Sequence, residues 1–145
     1  MIIHCCNDAG GFGRGFVVAL SNKWPETKIA YQKWFREGDP QLGEVQFIQV
    51  TPDICVCNMI GQHGTKWAGK IPPIRYDSII NCLNQVYKKA LADNLTVHGP
   101  RFGSVLAGGN WQTIETIMKS TMTVDTYVYT IESQKDRWPT EYEKL

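Results

Sequence analysis

The stretch Asp8-Ala-Gly-Gly-Phe-Gly-Arg-Gly15, preceded by Ile2-Ile3-His4-Cys5-Cys6, decides how this chain folds. A short apolar run reads as a buried strand over residues 2–6, and Phe16, Val17 and Leu20 give helical spacing over 13–23. The glycines between them let the backbone take positive φ and let a ligand approach without Cβ obstruction. A helix that follows such a turn aims its unpaired N–H groups and the positive end of its dipole at that ligand, which suits a phosphate. The same arrangement recurs at Gly103-Ser-Val-Leu-Ala-Gly-Gly109, fed by the short strand Thr96-Val-His98. Asn110, a good N-cap, leads from it into a helix lined by Trp111, Ile114, Ile117 and Met118. Each turn alone is equally a tight turn. Two of the same kind on neighbouring strands point to a diphosphate held between them.

Outward from these turns, Pro25 opens a helix that runs to about Arg36. Gly43–Val50 and Ile54–Ile60 read as strands joined by the turn Thr51-Pro-Asp53, hence an antiparallel hairpin. Residues 61–73 are a glycine- and proline-bearing loop. Residues 75–92 keep Ile79, Ile80, Leu83, Val86, Tyr87, Ala90 and Leu91 at helical spacing. Thr123–Ile131 alternates as a strand, and 132–145 is expected to be a polar tail or a loosely anchored last helix. Alternating strands and helices give an α/β class with a mixed sheet between helical layers, and one domain over 1–131.

The length of 145 residues suits a single domain with its own core. A net charge of +1 gives no bulk attraction to nucleic acid or to a membrane surface. No apolar run reaches membrane-span length, and the start carries no secretory pattern. Cys5-Cys6 and Cys55-x-Cys57 match neither zinc nor redox spacing, so the five cysteines read as reduced thiols in a cytoplasmic protein, with no metal and no cofactor expected. The first glycine turn is not a P-loop, and a helix rather than a second strand with an acidic residue follows it, which excludes a dinucleotide fold. No zinc-protease, serine-hydrolase or kinase signature is present.

Ile2-Ile3-His4-Cys5-Cys6-Asn7 with the glycine turn resembles the opening of macro domains, the ADP-ribose-binding family. Pro100-Arg101-Phe102-Gly103 through Trp111 resembles the second phosphate loop of that family, and Thr126-Tyr-Val-Tyr-Thr-Ile131 its closing strand. The branch most similar contains the terminal ADP-ribose protein glycohydrolase and the ADP-ribose-1''-phosphate phosphatases. The resemblance implies a three-layer sandwich with an ADP-ribose cleft at the carboxyl ends of the strands. It also implies a partner in ADP-ribose, a derivative, or an ADP-ribosylated macromolecule. By position, Gly11, Gly13 and Gly15 would approach the distal ribose and its phosphate, with Arg14 also a ligand contact and Phe12 a candidate to stack on the ligand. Gly103, Ser104, Val105, Leu106, Ala107 and Gly108 would wrap the diphosphate. Asn7 would meet the distal ribose, and Tyr129 would stack near adenine. Three departures stand out. The family's earlier strand with its G-D-[IV] segment has no match, so the adenine contact is expected to be absent or supplied otherwise. Ala107 stands where the glycohydrolase branch has a catalytic aspartate, and no lysine aligns with that branch's covalent lysine.

Three residues are candidates for chemistry. His4 could face the cleft as general base or nucleophile, or be a histidine satisfied inside a buried strand. His63, in the glycine-flanked Asn58–Gly64 segment, could donate a proton or be a solvated loop histidine. Asp8 could orient water or cap the glycine turn. His98 reads as strand-end packing, and Lys66, Lys70 and Arg75 could steer a diphosphate or be solvated charges. The five tryptophans read as mostly core. The expected function is hydrolysis of a terminal group on an ADP-ribose derivative, either phosphatase or de-ADP-ribosylation. The alternative is a non-catalytic reader.

Overall fold

Alternation along two central strands sorts the apolar residues into two cores. In the computed structural model, which describes residues 1–130 and 141–145, β1 (Ile2–Asn7) sends Ile3 to one face and His4 and Cys6 to the other. Its parallel neighbour β3 (Cys55–Gln62) likewise sends Cys55, Cys57 and Met59 one way and Ile60 the other. The first face packs against α3 (Tyr76–Ala92) and α4 (Trp111–Thr121) through Ile79, Leu83, Val86, Ile114 and Met118. The second packs against α1 (Phe16–Lys23) and α2 (Glu26–Glu37) through Val17 and Tyr31, with Phe12 beneath them. Cys5 and Cys6 therefore point to opposite faces, and all five cysteines are free thiols. Burial pushes the Cys6, Cys57 and Cys82 thiols upward, which keeps them neutral packing groups.

Six strands lie in the order β2-β3-β1-β4-β5-β6, with β2 at Val45–Gln49, β4 at Val97–Pro100, β5 at Thr126–Tyr129 and β6 at Tyr142–Lys144. β3, β1, β4 and β5 are parallel, whereas β2 and β6 are antiparallel edges. The expected three-layer α/β sandwich with a mixed sheet is thus the observed one. The parallel centre gathers the segments after β1, β3 and β4 at one edge, the place where open α/β sheets hold ligands.

Several boundaries move for identifiable reasons. α1 begins at Phe16 rather than near residue 13, because Gly15 at φ 79 cannot be helical. α4 starts at its expected cap, the Asn110 Oδ1 accepting from the Thr113 N–H at 3.0 Å. Ile131 and most of the expected 132–145 tail fall outside the described residues, and its last part is not a free tail. Tyr142–Lys144 closes the sheet beside β5, in register Tyr129↔Tyr142.

Candidate functional site

Parallel pairing brings Asp8 and His63 together from positions far apart in sequence. β1 and β3 run in register to Cys6↔Ile60, then shift by one residue so that Asn7 pairs with Gln62, and the Asp8 N–H donates to the Gln62 carbonyl at 3.0 Å. The next residues on each strand then meet: His63 Nδ1 lies 2.7 Å from Asp8 Oδ2, while Asp8 Oδ1 accepts from the Gly64 N–H at 2.7 Å. A carboxylate only accepts, so Nδ1 carries the proton directed at Asp8, and in the neutral ring the lone pair is on Nε2. Partial burial pushes the Asp8 carboxyl upward, but the Gly64 N–H and His63 outweigh it and hold it below the usual range. Asp8 is therefore an ionised acceptor, 19% exposed, and His63 presents its free nitrogen from a side chain that is 64% exposed. This is the geometry of a base oriented by a carboxylate.

Asn7 builds the first glycine turn. Its Oδ1 accepts from the Ala9 and Gly11 N–H groups at 2.9 and 3.0 Å, and its Nδ2 donates to the Gly11 carbonyl at 2.8 Å. The Tyr31 hydroxyl locks it from below, donating to the Asn7 carbonyl at 2.7 Å. Asn7 is buried, so its polar groups brace the turn. Phe12, expected beside the ligand, turns inward instead. It is 5% exposed and packs 5.1 Å from the Tyr31 ring, because the turn has apolar core directly beneath it. Gly13 faces open space and Arg14 is exposed. The N–H groups of Phe12, Gly13, Arg14 and Gly15 donate to nothing among the described residues, and no side chain caps α1.

The second glycine turn is held by packing. Gly109 N–H donates to the Gly103 carbonyl at 2.8 Å, and Ile74 N–H to the Ala107 carbonyl at 3.1 Å. Gly108, at φ 71, lies so close to Trp67 that a Cβ there would collide with the indole ring. The Ser104 hydroxyl donates within the turn to the Arg101 carbonyl at 2.7 Å. Between these ties, the N–H groups of Gly103, Ser104, Val105, Leu106 and Ala107 make no hydrogen bond among the described residues. The Ala107 side chain is buried, whereas Val105 and Leu106 are 84% and 52% exposed. A Cβ on Gly15 would lie 3.2 Å from the Leu106 side chain, so the two turns, each with its run of open amides, approach each other here. Such concave runs of N–H groups are anion sites.

The other candidates go elsewhere. His4 does not lie between the turns: it is 1% exposed on the α1–α2 face, with Nε2 bonded to Asn58 Oδ1 and Phe12 edge-on at 5.8 Å. Burial lowers its pKa to about 4, against a smaller opposing push from Asn58. The reading of His4 as a satisfied core histidine fits that environment, since His4 and Cys6 share the face of β1 that α1 and α2 cover. His98 bonds through Nδ1 to the Tyr129 hydroxyl at 2.9 Å and through Nε2 to Thr96 at 2.8 Å. Both line a cleft of about 380 Å³ that runs past Phe16 and Pro100. Arg75 turns back onto the carbonyls of Pro72, Pro73 and Ile74.

Residues that sequence reading passed over complete the site. Residues 62–74 form a narrow hairpin arm rather than plain loop, bridged at Gln62↔Ile74 and Ala68↔Ile71. Its Thr65 methyl reaches the first turn at Gly11 and its Trp67 reaches the second at Gly108. The expectation that the tryptophans are mostly core is corrected: Trp24, Trp34 and Trp111 are only half-buried and Trp67 is 54% exposed; Trp138 lies outside the described residues. The parallel pairing of two strand ends was the signal that could have joined Asp8 to His63.

No family model matches the chain. Among solved structures, a protein of unknown function from Bacteroides thetaiotaomicron is 44% identical at TM-score 0.84, over 90% of this chain and 86% of that one. A macrodomain protein from Streptomyces coelicolor is 40% identical at TM-score 0.78, over 91% of this chain and 87% of that one. Thermosipho africanus DarTG, solved in complex with ADP-ribose, shares the fold at TM-score 0.73 with 11% identity, over 94% of this chain and 39% of that one. Among curated proteins, the chromodomain-helicase-DNA-binding protein 1-like of Danio rerio is 29% identical over 82% of this chain, which spans only 12% of that relative's length. The shared fold and the 40% identity over 91% of this chain and 87% of the Streptomyces coelicolor macrodomain have one reading: the chain belongs to the macrodomain family.

Proposed function

We propose that this protein binds ADP-ribose or a close derivative and hydrolyses its terminal group. The observation that carries the reading is the run of five consecutive open N–H groups, Gly103 to Ala107, in a turn whose Leu106 reaches the uncapped start of α1 at Gly15. A diphosphate supplies the acceptors those amides lack. The adenosine half would follow the cleft past Phe16 and Tyr129, and the distal ribose would lie toward Asp8 and His63. DarTG of Thermosipho africanus, which shares the fold, was solved with ADP-ribose.

In the hydrolytic step, His63 Nε2 removes a proton from water as its oxygen attacks the terminal phosphorus or the anomeric carbon. Asp8 stabilises the imidazolium through Nδ1, and the bond to the leaving oxygen breaks as His63 returns the proton to it. Ala107 favours a second reading, a non-catalytic reader, because that buried methyl offers no carboxylate beside the ribose.

Calorimetric titration with ADP-ribose, with AMP and ribose-5-phosphate as controls, tests the binding reading. Micromolar affinity, about −8 kcal/mol, is expected for ADP-ribose alone; absence of heat overturns it. Assays of phosphate and ADP-ribose release, repeated on His63→Ala, then separate enzyme from reader. An enzyme loses turnover while keeping affinity; a reader has none to lose.

A further inference from the structure

Several exposed apolar side chains are spread over the helices, Val18 on α1, Ile29 on α2, and Ile80 and Leu91 eleven residues apart on α3. Four others gather at one end. Trp67 and Ile71, 54% and 58% exposed, sit on the hairpin arm, beside Val105 and Leu106 on the second glycine turn. The contact of Trp67 with Gly108 joins the two segments into one patch. Exposed apolar clusters of this kind mark interaction surfaces.

The charge around the patch has one sign. Residues 9–15, 63–75 and 101–110 carry Arg14, Lys66, Lys70, Arg75 and Arg101 and no aspartate or glutamate. Arg75 is turned back on its own arm and Arg101 lies over Trp111. Lys66 and Lys70 are exposed, with no ion pair among the described residues. Asp8, at the base of the arm, is already matched by His63 and the Gly64 N–H.

We propose that the arm and the second glycine turn together dock the polypeptide that carries the ADP-ribose group, an acidic segment with an apolar side chain near the modified residue. The inference rests on the nucleotide reading above and adds the class of its substrate. The group attached to the distal ribose leaves the site beside His63, whose N–H donates to the Pro73 carbonyl at the root of the same arm. The first surface it meets is the one bearing Lys66, Trp67, Lys70 and Ile71. Carboxylates answer the two lysines, and an apolar side chain covers Ile71 and the exposed part of Trp67. Nucleic acid would pair with the lysines and stack a base on Trp67, but it leaves the aliphatic Ile71, Val105 and Leu106 uncovered.

The test compares four probes by competition calorimetry on the full chain. They are free ADP-ribose, an acidic peptide bearing ADP-ribose through a non-hydrolysable linkage, the same conjugate on a lysine-rich peptide, and an ADP-ribosylated oligonucleotide. The acidic conjugate is expected to bind about tenfold more tightly than free ADP-ribose, the gain of two exposed ion pairs and some apolar cover. The Lys66→Glu/Lys70→Glu variant should abolish that preference, and Ile71→Ser should reduce it, while both keep their affinity for free ADP-ribose. Equal binding of free ADP-ribose and the acidic conjugate overturns this inference alone. So does a preference that survives the lysine reversal, or one that belongs to the oligonucleotide. No binding of free ADP-ribose overturns the nucleotide reading and this inference with it.

Discussion

The two glycine turns look alike in sequence and are stabilised in opposite ways. The first is braced by side chains: Asn7 ties Ala9 and Gly11, Tyr31 ties Asn7, and Phe12 plugs the core below. The second is braced by backbone ties at its ends and by the Trp67 ring pressed on Gly108. The Asn7 brace uses the Ala9 and Gly11 amides and leaves those of Phe12 to Gly15 open, whereas the packed second turn leaves five in a row open from Gly103 to Ala107. More of the anion contacts therefore fall to the second turn. The first, being rigid, is suited to holding Asp8 still for His63.

That contrast can be broken from either side. The largest effect expected is on chemistry: His63→Ala or Asp8→Asn should lower turnover by about 10²–10⁴ with little change in ADP-ribose affinity, read by product release and calorimetry. A matching loss of affinity would mean that the pair binds rather than reacts. Next comes the support beneath the first turn. His4 takes up a proton near pH 6.5 when unfolded but only at about 4 when folded, so its neutral form stabilises the fold above pH 6.5. That contribution drains away as pH falls toward 4 and amounts to about 3 kcal/mol. Urea titrations across this range should show the wild type losing that much more stability than His4→Leu, whose site does not titrate. Parallel curves would put His4 in contact with solvent.

The second turn gives the next effect. Gly108→Val places a branched side chain at positive φ against Trp67 and Pro72, which should displace the turn and weaken ADP-ribose binding about 10–100-fold through one or two lost amide contacts. An unchanged melting temperature would show that the loss is local. Smallest is Asn7→Ala, expected to cost about 1–2 kcal/mol of stability by freeing the Ala9 and Gly11 amides, measured by thermal unfolding. If Asn7→Ala damaged affinity more than Gly108→Val, the division of labour between the turns would be reversed.

Much of this was legible beforehand, and the exceptions have physical reasons. The helix expected at 75–92 appears at Tyr76–Ala92, because seven apolar residues at helical spacing leave it no other packing. The strand hairpin and both glycine turns were equally plain. His4 was harder. Strand periodicity says that alternate residues share a face, but not which face lies under helices, so a core histidine and a cleft histidine have the same local pattern. The arm at 62–74 reads as loop because two bridges hold it and its glycines and prolines hide the pairing. The Asp8–His63 contact depends on β1 and β3 being adjacent, a property of strand order. β6 escaped because Tyr-Glu-Lys carries no buried face, and all three residues are exposed.

The open amides of the second turn also supply a label-free clock. An N–H without an acceptor trades its hydrogen for deuterium quickly in water, while one bound to a phosphate oxygen does so slowly. Residues 103–107 should therefore be fast in the free protein and slow selectively when the anion is bound, against a background of helices α3 and α4 that stays protected throughout. The same five groups that draw the anion would then time its arrivals and departures, in any mixture where the protein can be recovered and digested.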